Sequence, residues 1–187
     1  MIIKQSKLFK DVKIITPYIY HDFRGSFVET FNEKQYSMLR DYNNIPLKFV
    51  QDDISESRKN TLRGLHGDQK TWKLVQCIKG SVFVAVVDMR KNSSTYLMSE
   101  TFSISDIDKR QILIPAQFAN GHLCMSNCIF AYKQTTYYEG RKQQFTLKWN
   151  DPTFNIRWPI TNPILSDRDY SAKLLEDTSW SGGFGIW

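Results

Sequence analysis

From residue 47 to residue 149 the chain repeats one texture: short runs of β-branched and aromatic residues, each closed off by turn residues. The segments LKFVQDD, KLVQCI, SVFVAVVDM, QILIP, CIFAYKQTTYY and FTLKW carry it, and such residues suit a pleated, half-buried surface. Turn signals stand at Lys79-Gly80, RKNSS (90–94), SISD (103–106) and EGRK (139–142). Many short strands at regular spacing must bury their apolar faces against one another, which predicts a mainly β sandwich or barrel. Helices are left for the margins. Asn32 can cap one over EKQYSMLRDY, with Tyr36 and Leu39 or Arg40 on its apolar face, and SAKLLED predicts a second near the end. The glycine-rich SGGFGIW reads as a loosely held tail or a dimer contact. With no internal repeat or composition break, residues 1–187 are expected to form a single domain.

Charge and cysteine content narrow the partners. The 25 basic and 19 acidic residues leave a net charge of +6, which favours nucleic acid or a small phosphate-bearing ligand. No basic run or nucleic-acid motif is present, so the small ligand is the better expectation and nucleic acid is not expected. Cys77, Cys124 and Cys128 are odd in number and lack metal-type spacing, as in a reduced cytosolic protein. Lysines interrupt the apolar residues of MIIKQSKLFKDVKIITPYIY, and no run reaches membrane-spanning length. A cytoplasmic location with no membrane partner is expected.

One of the three histidines lies in RGLHGDQKTWKLV (63–75). His66 reads in three ways: a metal ligand, a hydrogen-bonded core residue, or a base. A metal site in a β-barrel needs two histidines and a carboxylate close together and a further histidine on a later strand. Here Asp68 and Lys73 follow His66, an ammonium is a poor neighbour for a metal cation, and Asn120 stands in IPAQFANGHLC where the last ligand would be. His122, nearby, keeps the metal reading open; the expectation is no metal. The core reading is the default for a lone histidine. Arg63 and Lys73 on either side shift it, since such cations are expensive to bury without an anionic partner. A neutral imidazole in a cationic mouth can still take up a proton.

Taken in order, DFRGSFVETF, RGLHGDQKTWKLVQCIKGSVFVAVVDMRKNSSTY, IPAQFANGH, YKQTTYY, WNDP and LSDRD resemble the dTDP-4-dehydrorhamnose 3,5-epimerase family, over roughly residues 15–170. The resemblance implies a cupin or jelly-roll β-barrel and an epimerase that inverts C3, C5 or both of a nucleotide-diphosphate-linked 4-keto sugar. It implies no cofactor. It assigns the base to His66, its orienting carboxylate to Asp169, the acid on the opposite face of the sugar to Tyr132, and stabilisation of the enolate to Lys73. Nucleotide, diphosphate and sugar contacts fall on Arg24, Glu29, Gln51, Arg63, Asn120, Tyr138 and Arg168. The strand around Arg24–Phe27 crosses to a partner chain in that family, so a homodimer is implied. Read without the resemblance, Asp169 is a helix N-cap, Tyr132 and Tyr138 are cross-strand aromatics, and Arg24 and Arg168 are solvated charges.

Two departures from the family pattern stand out. The stretch GDQKTW between RGLH and KLV is compact, and the family's FAHGF-like motif is FANGH, with Asn120 in the place of a histidine. Both resemble a subgroup that acts on GDP-linked 4-keto heptoses in capsule synthesis. The compact stretch also resembles sugar 3,4-ketoisomerases of the same fold. A cupin that only binds a sugar or a metal is the non-enzymatic alternative.

Overall fold

The computed structural model describes residues 1–178; the expectation for SGGFGIW falls outside them. The described residues form thirteen strands: β1 (Ile2–Gln5), β2 (Lys13–Thr16), β3 (Ile19–Asp22), β4 (Gly25–Val28), β5 (Gln51–Ser57), β6 (Leu62–Gly67), β7 (Lys73–Lys79), β8 (Ser81–Asp88), β9 (Ser99–Ser105), β10 (Gln111–Ile114), β11 (Phe118–Cys124), β12 (Cys128–Gln134) and β13 (Phe145–Thr146). One sheet runs β1-β2-β10-β7-β12-β5, the other β13-β6-β11-β8-β9, and β3-β4 forms a separate hairpin. From β5 onward, apart from the β8–β9 hairpin, the chain passes back and forth between the two large sheets, the winding of the expected jelly roll.

The sheets meet over one apolar layer. Val75, Cys77, Ile112 and Phe130 come from the first sheet, and Val82, Val84, Val86, Ile104 and Cys124 from the second. Alternation along β8 places Val82, Val84 and Val86 on this layer. Each such side chain contributes about 1.5–3 kcal/mol when fully buried.

Several sequence expectations are corrected. The early helix is a single turn, α1 (Glu33–Tyr36), capped as expected by Asn32 Oδ1, which accepts from the N–H groups of Lys34 and Gln35. The chain then turns, with Arg40 in a β-bridge to Pro46 and Asp41 accepting from the N–H groups of Asn43 and Ile45. Tyr36 and Leu39 are buried in a core cluster, and Tyr42, beyond the turn, packs on Trp72 of the same cluster. The late helix begins before SAKLLED, as α2 (Asp167–Tyr170), and Leu175–Asp177 is a 3-10 turn. The N-cap of α2 is Ser166, not Asp169. SISD is not wholly a turn, because Ser103–Ser105 end β9.

Two glycines let β6 press against β11. Gly64 has φ +121°, and a Cβ there would lie 2.6 Å from Gly121 Cα and 2.7 Å from the Asn120 carbonyl oxygen. Gly64→Ala is therefore expected to cost about 2–4 kcal/mol, from backbone strain together with overpacking. Gly140→Ala, at φ +110° with nothing within 4 Å, should cost only the strain, about 1–2 kcal/mol. Chemical denaturation of the two variants checks this; equal losses would show that the β6–β11 contact can relax.

Candidate active site

A cavity of about 400 Å³ lies between the sheets. One wall comes from β5, β7 and β12, the other from β6 and β11, and the segment around Ser166–Asp169 closes a side.

His66 enters from β6, opposite Asn120 on β11 and Thr146 on β13. Strict alternation would send residues 63 and 66 to opposite faces. The β6–β11 register shifts between Asn120 and His122, and this irregularity lets both Arg63 and His66 line the cavity. The Nε2–H of His66 donates to Asp169 Oδ1 at 2.5 Å. Asp169 is 2% exposed. Its second oxygen accepts from the Ser166 hydroxyl at 2.9 Å, and that hydroxyl accepts from the Asp169 N–H at 3.2 Å. The helix cap is thus also the clamp on the carboxylate.

The electrostatics follow from burial and neighbours. Burial lowers the His66 pKa from its ordinary 6.5; Asp169 opposes this, while Arg168 and Lys73 reinforce it. The imidazole is accordingly neutral at pH 7. Burial raises the Asp169 carboxyl, but the bonds from His66 and Ser166 outweigh it and hold the group below the usual carboxylate range. Lys73, 8% exposed, has its pKa lowered by burial, partly offset by Asp68. Its ammonium donates to Asn120 Oδ1 at 3.4 Å.

On the facing sheet, Tyr132 is half-buried on β12 and paired in register with Asp53 on β5. Burial and the Asp53 charge raise its pKa, so it remains a phenol. The next residue, Lys133, points away and pairs with Asp52 at 2.6 Å. Asp53 accepts from the side-chain amides of Gln51 and Gln134, each at 2.8 Å. The Tyr138 N–H donates to Gln51 Oε1, also at 2.8 Å. Arg168 donates from Nε to Thr146 Oγ1 at 2.7 Å and from Nη1 to Gln144 Oε1 at 3.2 Å. Four basic side chains, Arg63, Lys73, Arg141 and Arg168, line the cavity against two carboxylates, Asp53 and Asp169, which makes it a site for an anion.

Nine of the eleven expected site residues therefore meet: His66, Lys73, Tyr132, Asp169, Gln51, Arg63, Asn120, Tyr138 and Arg168. Arg24 and Glu29 do not line it. Arg24 sits at the turn of the β3–β4 hairpin, paired with Asp22 at 2.7 Å, and Glu29 accepts from Asn32. Among polar lining residues, sequence reading missed Asp53, Ser55, Gln134, Arg141, Gln144 and Ser166. The last was detectable, since Ser-x-x-Asp at 166–169 has the spacing of a capping box. No group of three or more His, Cys, Asp or Glu side chains arranged for a metal occurs among the described residues, and none of their helices is long and apolar enough to cross a membrane.

Comparison with known proteins fits this geometry. The family model for dTDP-4-dehydrorhamnose 3,5-epimerase matches residues 6–177. The enzyme of that name from Shigella flexneri is 37% identical, the match covering 91% of this chain and 94% of that one. The Salmonella typhimurium enzyme is 40% identical, with 89% and 91% covered. Among solved structures, dTDP-6-deoxy-D-glucose-3,5-epimerase from Legionella pneumophila, in complex with dTDP-4-keto-L-rhamnose, superposes with a TM-score of 0.85 at 40% identity, over 93% of this chain and 92% of that one. A mainly β jelly roll with a histidine–carboxylate pair inside, matched along nearly its whole length, places this chain in the dTDP-4-dehydrorhamnose 3,5-epimerase family of isomerases.

Proposed function

We propose that this epimerase inverts C3, C5 or both of a nucleotide-diphosphate-linked 4-keto sugar, with His66 as base and Tyr132 as acid. The observation that carries the reading is their position: the imidazole comes from one sheet and the phenol from the other, across one cationic cavity. A ketone at C4 acidifies the protons at C3 and C5, because the carbanion delocalises onto oxygen as an enolate. Asp169 holds Nε2 of His66, which leaves the Nδ1 lone pair for the substrate proton. The ammonium of Lys73 steadies the charge that develops on O4, a role worth roughly 3–4 kcal/mol for a lost oxyanion donor. Tyr132, kept protonated, returns a proton to the opposite face, and the centre inverts.

Arg63 and Arg168 suit the diphosphate, since a guanidinium fork meets two phosphate oxygens at once. Gln51 and Tyr138 belong to the same rim. The compact GDQKTW stretch and Asn120 favour a GDP-linked 4-keto heptose for capsule polysaccharide over a dTDP-linked 4-keto-6-deoxy sugar. Three buried, unbridged cysteines fit a reducing cytoplasm.

The test is exchange with solvent. Incubated in heavy water with dTDP- and GDP-linked 4-keto sugars, the protein should incorporate deuterium at carbons next to the ketone: one for a single-centre enzyme, two for a 3,5-epimerase. A carbonyl that migrates to C3 would instead identify a ketoisomerase. His66→Asn should lower both turnover and exchange by about 10²–10⁴, whereas Tyr132→Phe should lose inversion and keep exchange with retained configuration. A folded His66→Asn protein that exchanges at the wild-type rate would refute the mechanism.

A homodimer completes the reading. The β3–β4 hairpin joins neither large sheet, and an isolated hairpin is marginal in water. Tyr20, Phe23 and Phe27 on it are 64%, 98% and 69% exposed, which favours a second copy as cover and delivery of Arg24 and Glu29 to the neighbour's cavity. Light scattering should give twice the chain mass. Mixing inactive Arg24→Ala and His66→Asn chains should restore part of the activity; a fully active monomer would contradict the exchange of residues.

A further inference from the structure

Three buried side-chain polar atoms lack a partner among the described residues: Ser55 Oγ, His122 Nε2 and Arg168 Nη2. All three residues line the same cavity. Arg168 has an occupant in the proposed function, a phosphate oxygen, but nothing so far uses His122.

His122 lies two residues beyond Asn120 on β11, and so faces the same way. It sits between Asn120 and the buried Cys124, at the floor where the cavity meets the apolar layer. Its ring is 6% exposed and stacks on Phe130, with centroids 3.9 Å apart and planes 19° apart. The stack fixes the ring plane, so Nε2 is held in place. In the FAHGF-like motif the corresponding residue is phenylalanine, which would stack as well. Imidazole in its place adds two buried ring nitrogens; the ring bonds Cys124 and leaves Nε2 unpaired, and such an atom costs stability unless it is paired.

We propose that His122 is a sugar-recognition residue, whose Nε2 hydrogen-bonds a hydroxyl of the nucleotide-linked substrate below the level of His66 and Tyr132. This rests on the function proposed above. A hydroxyl suits the site because it can donate or accept, and so matches Nε2 whether or not that nitrogen carries a proton. A phosphate dianion would have to be buried against Phe130; Arg63, across the strand pair from His122, is turned to the Ser57 hydroxyl, whereas Arg168 keeps Nη2 unpartnered beside Thr146 and Gln144.

The test uses ligands without a C4 ketone, which bind and do not react: dTDP with dTDP-rhamnose, and GDP with GDP-mannose. In His122→Phe, affinity for the bare diphosphate should stay within about twofold, and affinity for the sugar nucleotide should fall on the order of tenfold. For a 4-keto substrate, KM should rise more than kcat falls, and His122→Gln should recover most of the loss. On wild-type protein, the His122 Nε2 resonance in nitrogen-15 spectra should move with the sugar nucleotide and not with the bare diphosphate, which keeps the proposal testable if the variants fold poorly. Equal sugar-nucleotide affinity in a folded His122→Phe protein, or a resonance that moves equally with both ligands, would overturn it. Absence of solvent exchange by wild-type protein with any 4-keto sugar would instead overturn the epimerase reading itself.

Discussion

A carboxylate that is 2% exposed stands only if its lone pairs are met, and Asp169 meets them with His66 on one oxygen and Ser166 on the other. Leaving such a charge unpaired would cost several kcal/mol. The bond to His66 therefore fixes more than a side chain. It ties α2 to β6, and β6 can take that place only because Gly64 lets it lie against Gly121. Glycine on the strand and serine at the helix cap serve the same imidazole from two ends of the chain.

The cavity imposes a second constraint. Polar side chains of β5, β7 and β12 point inward, where a jelly roll would ordinarily place apolar ones. Gln51, Asp53 and Ser55 line the cavity while Ile54 is 74% exposed. Hydrogen bonds among Gln51, Asp53, Gln134 and Tyr138 settle most of these groups. The atoms left over, on Ser55, His122 and Arg168, have no partner among the described residues, and buried polar atoms call for one.

This inversion explains what the sequence hid. The strands that pack wholly in the apolar layer, β8 above all, were legible from composition. β5 was placed at 47–53 and runs 51–57, because its inward face is polar and its alternation reads backwards. β6 and β11 contain Gly64, Gly67 and Gly121, which look like turn residues and in fact allow close backbone approach. β9 alternates serine and threonine with Phe102 and Ile104, so its end resembled a turn. Of the nine expected residues that line the cavity, His66, Arg63 and Lys73 stood out from their own stretch of sequence, and the others were assigned through resemblance to a family. Spacing alone would have left Asp169 as a helix cap and Tyr132 as a cross-strand aromatic, since residues 103 positions apart carry no local signal of their contact.

The tautomer of His66 bears most directly on the proposed role of this residue as base. With Asp169 accepting from Nε2–H and burial lowering the ring's pKa, nitrogen-15 spectra at about pH 7.5 should show a neutral ring, protonated at Nε2 and bare at Nδ1. Asp169→Asn should blur that preference. A ring protonated at Nδ1, or an imidazolium at that pH, would contradict the account of how this site removes a proton.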